Sequence, residues 1–151
     1  GKGNEVRYKQ AGPDALRVID TYHNTLPGVK KLVNGAKNAV MERGYVRTGF
    51  GRRIRFPDKR YAYKASGLLI QATAADINKN NWMLIDQIAT AAGGQLTLNT
   101  HDSYSLSLPK EDWQQTWKDI ARTVEGSIPW FRVPLVLELS GVGNNWWEAV
   151  K

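Results

Sequence analysis

Residues 96–109 read LTLNTHDSYSLSLP and constrain the fold more than any other stretch of the chain. Apolar residues alternate before the centre (Leu96, Leu98) and again after it (Tyr104, Leu106, Leu108), with small or polar residues between them. That period of two is the signature of two half-buried strands. Parity then sets the connection. A two-residue turn at His101-Asp102 places Leu98 opposite Ser105, and the apolar faces disagree. A three-residue loop, His101-Asp102-Ser103, places Leu98 opposite Leu106 and Leu96 opposite Leu108, so both face one core. The pattern predicts a hairpin with Asp102 at its tip. A carboxylate on a rigid, backed hairpin suits a divalent cation, and aspartate also favours turns in its own right. Both readings stand on this stretch alone.

The 151 residues suit one domain, and 42% apolar content is enough for a real core. No stretch approaches the roughly 18 apolar residues of a membrane span, and the start lacks a signal-peptide pattern. The chain has no cysteine, which rules out disulfides and thiolate metal sites and fits a reducing compartment. With only His23 and His101, a histidine-rich zinc site is disfavoured. His23 reads as a surface or packing residue, because no second histidine or cysteine lies one helical turn away. The net charge of +7 is unevenly spread: residues 1–64 hold 15 Lys/Arg against 5 Asp/Glu, and residues 65–151 hold 6 against 9. Such asymmetry points to a polyanion partner for the N-terminal half, or to a solvated basic surface.

Gly1 to Asn4 is a loop by composition. Pro13 opens one helix and Pro27 a second that runs to about Glu42, with Gly44 a ready C-cap. Val29, Leu32, Val33, Ala36 and Val40 form the stripe of the second helix. Tyr45–Pro57, YVRTGFGRRIRFP, reads as strand, glycine turn, strand. Arg43 to Lys64 holds eight basic residues and one acid, Asp58. Arg52 and Arg53, beside the glycine turn, match the geometry of phosphate oxygens. The interleaved aromatics Tyr45, Phe50, Phe56, Tyr61 and Tyr63 suit core or cover more than base stacking. Ala62 to about Ala92 is the longest helical stretch, with Gln71 set in its apolar part; a buried glutamine needs backbone partners or a groove that meets ligand. Pro109 starts another helix with Trp113, Trp117, Ile120 and Val124 on its apolar face. Residues 132–139 read as a short strand, and Trp146 and Trp147 anchor the tail.

The order of these stretches resembles the C-terminal part of a family A (Pol I-like, phage-type) DNA polymerase, over nearly the whole chain. Tyr22–Lys30 is similar to the segment after the nucleotide-binding helix of the fingers. Gly44–Pro57, GYVRTGFGRRIRFP, is similar to GYVxTxxGRRRxxP. Ala65–Lys79, with Gln71-Ala72-Thr73-Ala74-Ala75-Asp76 inside it, is similar to the A-x-N-x-x-x-Q-G-T-A-A-D helix. His101-Asp102 resembles the metal-binding HDE motif, and Val133-Pro134-Leu135 with Gly143–Ala149 resembles the last strand and C-terminus.

The resemblance implies an α+β fold: the C-terminal fingers helices over 1–44 and, over 45–151, a partial palm, an antiparallel sheet with a metal-binding hairpin on long helices. It implies extension of a primer on template DNA with dNTP, using two Mg2+ ions held by two aspartates. Asp102 matches the second aspartate and is implied as metal ligand and catalytic residue. His101 is placed near the primer terminus, Gln71 at the minor groove, and Arg52 and Arg53 on duplex backbone or bracing the palm. Ser103 stands where the family has Glu, Gly67 where it has Asn and Ala72 where it has Gly. HDS also occurs in single-subunit phage RNA polymerases; that enzyme, and a non-catalytic DNA-binding or interaction module, are the alternatives. The first-aspartate stretch, DYSQIExR, and the dNTP-binding RxxxKxxxFxxxYG helix are absent. The expectation is therefore a piece inactive alone, needing an N-terminal polymerase polypeptide, with exposed apolar surface and a cytoplasmic location in an infected host.

Overall fold

A computed structural model describes residues 12–150. The expected loop at Gly1–Asn4 lies outside the described residues. Among the described residues the fold mixes helices with two small antiparallel sheets, each of two strands. The chain forms two compact units, Gly1–Thr73 and Ala74–Lys151.

In the first unit, α1 (Pro13–Thr25) and α2 (Pro27–Arg43) each begin on a proline. Proline suits the first turn because its missing N–H is one that a helix start leaves unbonded anyway. Gly44 ends α2 at φ 77°, the left-handed C-cap conformation, and its N–H donates to the Val40 carbonyl at 2.9 Å. β1 (Tyr45–Arg47) and β2 (Arg53–Arg55) pair with Val46 opposite Ile54. The turn between them uses Gly51 at φ 84°, while Thr48 is buried and its Oγ1 accepts from the Arg52 N–H at 3.2 Å. Val40, Val46, Phe56, Ala62 and Ala65 make the core, with Ala36 from α2. Only Ala36 and Val40 of the predicted α2 stripe are buried, and α1 buries nothing. The aromatics divide: Phe56 joins the core, whereas Phe50, Tyr61 and Tyr63 are exposed.

The long helix starts later than its periodicity predicts. Lys59–Lys64 is a 3-10 helix, and α3 runs Ala65–Ala91. Asp58 accepts from the Arg60 N–H at 2.9 Å and ion-pairs with its guanidinium at 2.7 Å, and the chain at this cap takes the tighter helix.

In the second unit, β3 (Gln95–Thr100) and β4 (Ser103–Ser107) form the expected hairpin, but its register corrects the parity argument. Thr100 pairs with Ser103, so the turn is the two residues His101-Asp102, and Leu98 does lie opposite Ser105. A bulge between Leu96 and Leu98 restores Leu96 to Leu106, the core pair. One extra residue in a strand flips the face of everything beyond it, so Leu98 points out, 47% exposed, and Asn99 takes the inward place. The Thr97 hydroxyl donates to the Ser105 carbonyl at 2.9 Å beside the bulge.

α4 (Trp113–Glu125) starts at Trp113, not Pro109, because Asp112 is the cap: its carbonyl accepts from the Thr116 N–H at 3.1 Å. Ile120 and Val124 from α4 meet Ile85 of α3, with Leu96, Tyr104 and Leu106 packed around them. Burying each of these aliphatic side chains contributes about 1.5–3 kcal/mol. Residues 132–139 are not a strand among the described residues. A strand needs a neighbouring ladder, and Pro134 removes one donor; instead Leu135 and Leu137 pack into this core, and the Leu137 N–H donates to the Glu125 carboxylate at 3.2 Å. Val133 and Val136 are 73% and 64% exposed. The tail closes on α5 (Trp146–Ala149), where Asn145 and Glu148 cap each other, the Glu148 N–H donating to Asn145 Oδ1 at 3.1 Å. Trp146 and Trp147 are more than half exposed, so they are not the buried anchors of the tail that the sequence led one to expect.

Candidate functional site

Asp102 occupies the tip of the β3–β4 hairpin, exposed, and its carboxylate makes no hydrogen bond or ion pair among the described residues. The turn is shaped by its neighbours. His101 sits at φ 55°, the left-handed region that a non-glycine residue enters only where surrounding structure holds it. The Ser103 hydroxyl donates to the Thr100 carbonyl at 3.0 Å, across the turn.

What holds the tip is Asn78 of α3, whose amide is fully used. Its Nδ2 donates to Asn99 Oδ1 at 3.2 Å and to the His101 carbonyl, and its Oδ1 accepts from Asn99 Nδ2 at 3.2 Å and from the Tyr104 hydroxyl. The residue before Asp102 is thus tied directly to the long helix. Asn81 lies one turn further along, buried, accepting from the Ser127 hydroxyl at 3.3 Å. Neither asparagine was visible as functional in the sequence; the only signal was amide side chains recurring at helical spacing on α3.

Burial pushes the Tyr104 phenol above its ordinary range; a hydrogen bond with Asn81 opposes that shift and the Asp102 charge adds to it. A raised folded-state value means that the unfolded chain loses its proton first. Tyr104 therefore contributes stability that is intact below about pH 10 and is lost as pH rises through the folded value. Asn78→Ala is expected to destabilise the chain by about 2–3 kcal/mol, because Asn99, Tyr104 and the His101 carbonyl lose partners together. Tyr104→Phe should cost less and flatten the fall in stability as pH rises above about 10. Urea midpoints across that range check both.

In the first unit, Arg52 and Arg53 are exposed on the β1–β2 ribbon. Arg52 Nη2 donates to the Ala72 carbonyl at 3.0 Å, so it braces α3. Arg53 lies 5.1 Å over the Tyr45 ring. Gln71 is exposed on α3 rather than buried, so it has no burial to satisfy. His23 is half-buried and edge-on to Tyr22, with ring centroids 5.5 Å apart, a packing role. A groove of about 460 Å3 runs along α2, floored by Ala36 and Ala39 with Arg43 and Arg47 among its lining residues.

No cluster of three or more His, Cys, Asp or Glu is present among the described residues. At Asp102, an exposed carboxylate with uncommitted oxygens on a braced turn could offer one ligand to a hard cation, not a complete site. Among the described residues no helix is long and apolar enough to cross a membrane.

The sequence profile of DNA polymerase family A matches residues 6–148. The chain is 49% identical over 148 residues to DNA polymerase DpoZ of Vibrio phage phiVC8, covering 98% of this chain and 23% of that protein. It is 39% identical to DpoZ of Salmonella phage PMBT28, covering 100% and 24%. DNA polymerase I of Streptococcus pneumoniae serotype 4 is 32% identical, with 90% and 16% covered. Among solved structures, the POL domain of Pol1 from M. smegmatis, in complex with DNA primer-template and dNTP, superimposes with a TM-score of 0.73 at 22% identity. That match covers 81% of this chain and 23% of the other, and it shows the shared fold. The chain thus spans about a quarter of the length of the phage relatives. A profile match across almost all of its length, in the order in which its motifs run, makes the chain a member of DNA polymerase family A.

Proposed function

We propose that this chain is the C-terminal part of a template-directed DNA polymerase and contributes one of its two metal-binding aspartates, Asp102. The observation that carries the reading is the exposed, uncommitted carboxylate at a hairpin tip braced by Asn78. On this reading residues 1–44 belong to the fingers and 45–151 to the palm. Activity requires the rest of the polymerase, which carries the other aspartate and the dNTP-binding helix. The M. smegmatis relative was solved with primer-template and dNTP, and the same partners are proposed here.

Asp102 would hold Mg2+ together with a carboxylate from that remaining part. Mg2+ bound there supplies charge to stabilise phosphoryl transfer. The chain's own residues do the positioning. Asn78 fixes the carbonyl before Asp102, so the carboxylate is delivered from a stiff turn. His101, on the same turn, faces the primer terminus in this reading. Gln71, exposed on α3, presents an amide for a minor-groove acceptor, and Arg53 a guanidinium for backbone phosphate. Arg52 acts mainly as the brace that its bond to Ala72 describes.

The test is primer extension by the polymerase carrying this segment, with Asp102 replaced and duplex binding measured alongside. Loss of extension with binding retained supports the reading. Normal extension by the Asp102 variant overturns it and favours the DNA-binding module.

A further inference from the structure

The outward face of the β1–β2 ribbon gathers charge that no ion pair balances among the described residues. Period two places Tyr45, Arg47, Arg53 and Arg55 on one face, with Val46 and Ile54 on the other, toward the core. Arg47 lies directly opposite Arg53, and Tyr45 opposite Arg55. Arg43, at the end of α2, joins them. The guanidinium carbons of Arg43, Arg53 and Arg47 lie 4.9, 5.1 and 5.5 Å from the centre of the Tyr45 ring. Two of these side chains are also tied to backbone: Arg43 Nε donates to the Tyr45 carbonyl at 3.2 Å, and Arg47 Nη1 to the Gly51 carbonyl at 3.0 Å. Among the described residues no carboxylate ion-pairs with any of the four arginines. Asp58, the one acid between Arg43 and Lys64, is engaged by Arg60.

Like charges directly opposite on a ribbon destabilise it. An aromatic ring that collects guanidinium groups offsets part of that repulsion and holds the forks extended, with most of their N–H donors still unused. We infer that this face, Arg43, Arg47, Arg53 and Arg55 around Tyr45, is a preformed seat for consecutive phosphates of a DNA backbone. Residues two apart on a strand are separated by roughly 6.6 Å and neighbours across the ribbon by about 5 Å. That spread matches a pair of neighbouring phosphates along one strand. The inference rests on the polymerase reading and locates a contact surface for its nucleic acid.

The experiment is fluorescence-anisotropy titration of a primer-template duplex with the polymerase carrying this segment, between about 50 and 200 mM salt. Arg47→Gln and Arg53→Gln should each weaken binding several-fold and reduce the slope of log affinity against log salt by about 0.9; the double variant should lose about twice that slope. Arg60→Gln, whose guanidinium is held by Asp58, should leave the slope unchanged. Tyr45→Phe should bind like the wild type and Tyr45→Leu more weakly, as expected of a positioning ring. Relief of the opposed charges predicts that Arg47→Gln without DNA melts at or above the wild-type temperature.

An unchanged slope in the double variant overturns the inference, as does a lower melting temperature accompanying lost binding, which would make the arginines structural. Displacement of the duplex by a nucleoside triphosphate at matched ionic strength also overturns it, since the seat would then belong to the triphosphate. Asp102→Asn separates the two readings. If that variant extends primers normally while the Arg47 and Arg53 slopes fall, the catalytic reading fails and the phosphate seat stands.

Discussion

On the proposed reading, Asp102→Ala in the polymerase carrying this segment is expected to lower primer extension by about 10^3-fold or more while changing duplex affinity by less than about twofold. The estimate comes from what a metal-binding carboxylate supplies to phosphoryl transfer, several kcal/mol of charge stabilisation. Each 1.36 kcal/mol or so is a factor of ten in rate, so about 4 kcal/mol gives the thousandfold. Affinity is spared because DNA binding is dominated by cationic contacts to phosphate, and Asp102 is an anion. Folding is spared as well. The side chain is exposed and makes no bond among the described residues, a setting in which substitutions usually stay within about 0.5 kcal/mol. Asp102→Asn keeps the size and loses the charge, so it should be nearly as slow as alanine. Single-turnover extension on a primed template, with binding measured in parallel, decides the matter; an asparagine variant with near-normal rate would mean that shape, not charge, is what the tip provides.

The second large effect is on folding. Gly94→Ala should destabilise the chain by about 3 kcal/mol and lower its melting temperature by about 10 °C. A Cβ at Gly94 would stand 2.5 Å from the Ser107 carbonyl oxygen and 2.7 Å from Leu108 Cδ2. The first of these is backbone of the partner strand and cannot rotate away. Relief requires the chain entering β3 to shift, which breaks the Gln95–Ser107 pair and the register that sets the turn. Its neighbour is a glycine for a different reason. Gly93 has φ 78° and space around it, the nearest atom being Pro109 Cγ at 3.7 Å. Gly93→Ala therefore meets only backbone strain, about 1 kcal/mol, and Gly93→Asn less. Thermal melts of the three variants test the order, and Gly93→Ala falling further than Gly94→Ala would contradict the geometry.

Local chemistry was legible wherever one residue type enforces one conformation. Pro13 and Pro27 marked two helix starts, and Gly44 marked a helix end. The glycine-flanked GFG turn marked the basic hairpin, and the motif order marked the family. The parity reading of 96–108 failed because a bulge is a choice made by two strands together. Leaving Leu98 outside lets Asn99 meet Asn78, and no periodicity within one strand records that gain. The same holds for residues 132–139, whose apolar spelling is that of a strand but whose ladder has no partner among the described residues.

Pattern and composition were enough to place an acid at a hairpin tip and to cluster the basic residues before residue 65, and the motifs carried the resemblance to the family that the profile match shows. Folding alone chose the two-residue turn, the asparagine that braces it, and the ring that draws three guanidinium groups together. The division is physical. Backbone preference and hydrophobic period are properties of neighbours along the chain, whereas hydrogen-bond satisfaction and charge crowding depend on groups brought together from distant positions.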